Sequence, residues 1–152
     1  MNQSIYYRYL DALRISKSKP SLEALTKIIK AHLKYVPFEN ISKIYYLNNL
    51  DIKSIPINIL TPIPGTPLAE LQPPSLQDVL TTIALFRFIN PDAVIRMAGG
   101  RQQLGSEQYR CFAAGANGSI VGNYLTTTGS SIAHDLKQLQ AMGFTFSRAG
   151  KR

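Results

Sequence analysis

The stretch Val94–Arg101, V-I-R-M-A-G-G-R, holds the side chain with the most obvious chemical potential. It is a short apolar run interrupted by Arg96 and closed by two glycines, the pattern of a buried parallel strand entering a tight loop. A guanidinium in such a strand is costly unless it faces an anion or a ligand. Either Arg96 lies at a solvated strand edge, or it points into the mouth of a sheet or barrel and holds something there. Gly99-Gly100 admits a phosphate or cofactor edge at close range, or simply a tight turn. No G-x-G-x-x-G accompanies it. His32 has no Cys, Ser or carboxylate at a spacing that makes a catalytic pair, and reads as a structural histidine. Cys111 is the single cysteine. One thiol excludes a disulfide framework.

The elements that position Arg96 alternate in type. Ile57–Thr61 is β-rich, and Pro62, Pro64-Gly65 and Pro67 then prevent regular structure. Ser75-x-x-Asp78 opens a helix with Leu76, Val79, Leu80, Ile83 and Phe86 on one face, ended by Asn90-Pro91. Val94–Ala98 is the next strand. Ser106–Ala114 reads as a helix closed by Gly115, and Ser119–Val121 as a short third strand before the loop Thr126–Gly129. Ser131–Met142 is a last amphipathic helix, with Leu136, Leu139 and Met142 directed inward. Three βα units in succession require parallel strands with helical crossovers. Sites in such folds form where strands run out, here at Pro62–Ala69, Gly99–Gly105 and Gly122–Gly129.

The first third reads differently. Ser4–Arg14 places Ile5, Tyr9 and Leu13 on one helical face. Ser21 is an N-cap, Glu23 suits the first turn, and Leu22, Leu25, Ile29, Leu33 and Val36 mark an amphipathic helix that Pro37 stops. Phe38–Asn40 reads as a turn, and Ile41–Leu50 fits strand or loop. All ten glycines follow Pro56. Seven of the nine basic residues before it are lysine, whereas six of the eight after it are arginine. These shifts divide the chain into segments 1–55 and 56–152.

The formal charge is +8 in 152 residues, but basic residues are dispersed and their longest cluster, Lys17–Lys19, is short. A solvated surface is expected, not a nucleic-acid site. No apolar run has the roughly 18–20 residues of a membrane span. The N-terminus lacks a basic region followed by an apolar one, so a cytoplasmic setting is expected.

Two resemblances follow. Ala31–Ser42, A-H-L-x-x-V-P-F-E-N-I-S, resembles the N-terminal helical region of arylamine N-acetyltransferases, over roughly residues 5–50. That resemblance implies a Cys-His-Asp triad, but it stops before the cysteine, and Cys111 sits in different surroundings. Acetyl transfer therefore has no nucleophile here. From residue 56 to 148 the chain resembles the C-terminal part of biotin synthase, a radical S-adenosylmethionine enzyme. The resemblance lies in I-N-I-L-x-x-I-P-G-T-P-L (Ile57–Leu68), T-I-A-L-F-R-F-I-N-P (Thr82–Pro91), I-R-M-A-G-G-R (Ile95–Arg101), A-G-A-N (Ala114–Asn117) and V-G-N-Y-L-T-T-T-G (Val121–Gly129). It departs slightly at Asn117-Gly118-Ser119 and Asn123.

That resemblance implies the last βα units of a (β/α)₈ barrel. It places Arg96 at an arginine ligand of a [2Fe-2S] cluster and Asn58 at a contact to dethiobiotin. The parent enzymes use S-adenosylmethionine, a [4Fe-4S] cluster and a [2Fe-2S] cluster, which together need six cysteines. The expectation is therefore an α/β protein: an N-terminal helical segment, then three βα units of a partial (β/α)₈ barrel. It descends from a sulfur-inserting enzyme but is inactive alone, with no cofactor of its own. The alternative is a non-catalytic partial barrel that binds a small ligand or a subunit. Open sheet edges make self-association the expected partnership.

Overall fold

The computed structural model describes residues 21–32, 38–122 and 131–146. The expected helix at Ser4–Arg14, the loop Thr126–Gly129 and Asn123 lie outside them. Helix α1 spans Leu22–His32, and Ser21 caps it by accepting from Ala24 N at 3.2 Å. The side chain of His32 lies outside the described residues. Helix α2 spans Phe38–Asn49, where the sequence reading placed a turn and then strand or loop. A proline just before a helix forfeits no hydrogen bond, so Pro37 is compatible with a helix start as well as a stop. Ile41 and Ile44, three apart, are buried on one face, and that spacing overrides their β-branching. Ile52 N donates back to Leu47 O, and Asp51 takes a positive φ of 55°, which closes the helix.

Strand β1 is Ser54–Ile57, helix α3 Leu76–Ile89, strand β2 Val94–Met97 and strand β3 Gly118–Ser119. The sheet order is β1-β2-β3, all parallel, with Ile55 opposite Ile95 and Arg96 opposite Gly118. β1 thus starts earlier than the β-rich run at Ile57–Thr61, because Val94 N pairs with Lys53 O. The compositional shift at residues 55 and 56 falls inside this strand. β3 is shorter than expected and is helped by a side chain: Asn117 Oδ1 accepts from Ile95 N at 2.8 Å. Pro56 sits on an edge strand, and the alternation of bonds turns its nitrogen away from β2, where a missing donor is tolerated.

The capping box of α3 is complete: Asp78 N donates to Ser75 Oγ at 3.2 Å, and Ser75 N donates to Asp78 Oδ2 at 3.3 Å. α3 buries two faces. Val79 and Ile83 join Ile59, Ile95, Met97, Phe112 and Leu139 under the sheet. Leu85 and Ile89 pack with Ile29, Ile41 and Ile44 of α1 and α2, and Asn48 Nδ2 donates to Ile89 O at 2.9 Å. The two compositional segments therefore share a core. The buried Arg87 reaches Gly115 O at 2.9 Å through Nε, and Pro91 O and Ala93 O at 2.8 and 2.9 Å through Nη1.

After β2 the chain forms a 3-10 segment, Arg101–Tyr109, broken at Gly105, and then the short α4, Arg110–Ala113. This replaces the single helix expected at Ser106–Ala114. The last helix, α5, spans Ile132–Ala141 with Ser131 as its cap. Its inward residues are Asp135 and Leu139, whereas Met142 is 41% exposed at the helix end, contrary to the inward placement expected for it.

Candidate functional site

Side chains alternate across the strands, so Ser54, Pro56 and Asn58 share a sheet face with Val94, Arg96 and Ala98. The opposite face carries Ile59, Ile95 and Met97 into the core. The two residues that the resemblance singled out, Asn58 and Arg96, thus lie on the same open face of adjacent strands. Strand spacing and rise put their Cα atoms about 8 Å apart. Their polar contacts run in opposite directions. Asn58 is exposed, and its Oδ1 accepts from Gly99 N at 2.9 Å, at the strand ends. Arg96 is half-buried, and its Nη1 donates to Ser54 Oγ at 3.3 Å, toward the strand starts. Arg96 Nε is buried without a hydrogen-bond partner.

The glycine pair has a packing explanation. Gly100 adopts a φ of +82°, and a Cβ there would lie 2.0 Å from Ile59 O. The turn needs glycine so that the loop after β2 can lie against the end of β1. Gln103 Nε2 ties the same two loops together, donating to Leu60 O at 2.9 Å and to Thr61 Oγ1. This junction orients Asn58.

Sequence reasoning missed a buried polar cluster behind the site. Arg101, 1% exposed, donates through Nη2 to Asp135 Oδ2, and Asp135 is fully buried. Tyr109 Oη donates to Asp135 Oδ1 at 2.9 Å. The cluster fixes the loop that follows Gly99-Gly100 onto α5. A signal existed: Asp135 stands four residues before Leu139, on the same helix face, where a lone carboxylate calls for a partner.

The implied clusters do not fit these residues. Cys111 is buried on the helix side of the sheet, away from Arg96, and burial pushes its thiol up to about 11. A ligand thiolate needs the reverse shift. Among the described residues, no group of three or more His, Cys, Asp or Glu could hold a metal ion. Arg96 is present without the thiolates that should accompany it.

Burial also raises Tyr109 to about 12, assisted by its bond to Asp135. Both Cys111 and Tyr109 are neutral when protonated, so folding tightens their protons. Their contribution is complete below pH 9.0, the ordinary thiol value, and fades as pH rises through about 11 for Cys111 and about 12 for Tyr109. Urea midpoints should be flat up to that lower limit and then fall. Cys111→Ala should remove the earlier part of the decline, and a decline unchanged in that variant would refute the assignment.

The arrangement defines a class: parallel βα units with helices on one face and polar residues on the other, near the strand ends. Residues 56–145 match the family described as Biotin and Thiamin Synthesis associated domain, and the chain belongs to that family. It is 48% identical to the biotin synthase of Clostridium tetani over 107 residues, which is 70% of this chain and 33% of that protein. It is 44% identical to the biotin synthase of Desulfotalea psychrophila over 113 residues, 74% of this chain and 34% of the relative. The biotin synthase of Acetivibrio thermocellus is 48% identical over 105 residues, covering 69% and 33%. The chain spans about a third of the length of these relatives. A match of 113 residues in a chain of 152 begins no later than residue 40, within α2. These comparisons lend no support to the acetyltransferase resemblance of residues 5–50. Among the described residues, no helix is long and apolar enough to cross a membrane.

Proposed function

We propose that this chain is the C-terminal portion of a biotin synthase-type enzyme, a partial (β/α)₈ barrel without catalytic capacity of its own. The parent reaction inserts sulfur into dethiobiotin by radical S-adenosylmethionine chemistry on iron–sulfur clusters, in the cytoplasm. The observation that carries the reading is the placement of Asn58 and Arg96 on one open sheet face, with the core helices on the other. In a closed barrel that face lines the interior, at the end where substrates bind. Asn58 would contact the substrate and Arg96 would stand at the [2Fe-2S] position. Inactivity follows from chemistry: one buried thiol cannot supply the ligands that two clusters need. The similarity to biotin synthases crosses the compositional shift at residues 55 and 56, as β1 does.

The test is anaerobic reconstitution of the whole chain with iron and sulfide, followed by visible absorption and calorimetric titration with dethiobiotin. Only trace cluster absorption and no saturable heat are expected. Stoichiometric cluster bands would overturn the claim of inactivity. Saturable heat lost in Asn58→Ala would favour a ligand-binding partial barrel instead.

A further inference from the structure

Asn-Gly occurs once in the chain, at Asn117-Gly118, where β3 begins. Gly118 has no side chain to crowd its amide nitrogen, so that nitrogen can close a five-membered ring on the Asn117 carboxamide. Asn117 is exposed, and water reaches it. Its Oδ1 accepts from Ile95 N at 2.8 Å, which sets a fixed donor where negative charge gathers when Cγ is attacked. β3 has two residues and frays at low cost, which releases the Gly118 amide for the reaction.

Asn58 supplies the comparison. It too is exposed, and its Oδ1 also accepts from a main-chain donor, Gly99 N at 2.9 Å. The residue after it is Ile59, β-branched and buried, whose N donates to Gly99 O at 2.9 Å. That amide is both crowded and engaged. The two carboxamides are polarised alike, but only Asn117 has a ready nucleophile beside it.

We propose that Asn117 is a site of self-modification, which converts through a cyclic imide to aspartate and isoaspartate, and that the isoaspartate form detaches the start of β3 from β2. The Gly118 nitrogen gives its proton to hydroxide and forms a bond to Asn117 Cγ. The bond from Cγ to Nδ2 breaks, and Nδ2 takes a proton from water and leaves as ammonia. Water then opens the ring. Cleavage between Cγ and the Gly118 nitrogen yields aspartate. Cleavage at the main-chain carbonyl yields isoaspartate, with Cγ now in the backbone. One amide and one water become one carboxylate and one ammonium, with no change of oxidation state. The isoaspartate backbone is one atom longer between Asn117 N, which donates to Ile95 O at 3.0 Å, and Ile120 N, which donates to Met97 O at 2.9 Å. It also gives up the carboxamide that holds Ile95 N, and it puts a carboxylate one residue from Gly118, the partner of Arg96.

The test is incubation of the full chain in mildly alkaline buffer, then peptide mapping by mass with fragmentation that tells isoaspartate from aspartate. Asn117 should gain the mass of an NH2-to-OH exchange, in both forms, while Asn58 stays intact. Gly118→Ala should slow the gain about tenfold or more, because the attack geometry is crowded. Its Cβ would lie 3.1 Å from Val94 Cγ1, on a side chain 42% exposed that can yield. If that variant does not melt cooperatively, Asn117 against Asn58 in the wild-type chain decides. In the isoaspartate fraction, separated by ion exchange, the Ile95 amide should exchange its hydrogen about tenfold faster or more. An Asn117 as durable as Asn58, aspartate without isoaspartate, a folded Gly118→Ala chain that converts as fast, or unchanged protection of Ile95 in the isoaspartate fraction would each overturn the proposal. Neither clusters nor dethiobiotin enter these readouts, so the result is independent of the function proposed above.

Discussion

Replacing Asp135 with alanine should cost about 3–5 kcal/mol, a large fraction of the stability of a domain this size. The variant leaves the Arg101 guanidinium, 1% exposed, in the interior without its carboxylate, and it removes the acceptor of Tyr109 Oη. The penalty comes from the stranded charge more than from any attraction lost. Arg101→Met combined with Asp135→Leu should therefore recover most of the loss, since a buried ion pair is often replaceable by apolar groups of similar volume. Tyr109→Phe alone should lose only about 1 kcal/mol. Urea denaturation of the four proteins checks the pattern. A double variant no more stable than Asp135→Ala would show that the pair contributes by its own attraction.

Gly100→Ala should be comparably severe, at about 3 kcal/mol or more, and Gly65→Ala mild, at about 1–2 kcal/mol. Both glycines hold nearly the same left-handed conformation, with φ of +82° and +79°. They differ in surroundings: a Cβ at Gly100 meets Ile59 O at 2.0 Å, whereas nothing lies within 4 Å of one at Gly65. The comparison separates backbone strain from collision. Gly100→Ala should also disturb the Gly99 N to Asn58 Oδ1 bond, because the loop must lift from β1. Equal melting temperatures for the two variants would place the whole effect in the backbone angle.

Local signals read well in this sequence. The box at Ser75 and Asp78, the cap at Ser21 and the stop at Asn90 each depend on atoms within four residues. The polar pair on one face was also accessible, because strand alternation is a local rule and the resemblance supplied both residues. α2 was not legible, since Ile41, Ile44 and Tyr45 suit a strand by type and a helix only by spacing. The ion pair of Arg101 and Asp135 joins residues 34 apart, a distance over which neither helical nor strand periodicity operates. Composition also misled about units: it changes at residue 55, where the backbone is already paired with Ile95.

Arg87 gathers carbonyls from Pro91, Ala93 and Gly115, all of which precede strands. One side chain thus fastens the entry to β2 and the entry to β3 at a single point, on the rim opposite Asn58 and Gly99. Both rims are therefore tied, the strand starts by Arg87 and the strand ends by Gly100, Gln103 and the Arg101–Asp135 pair.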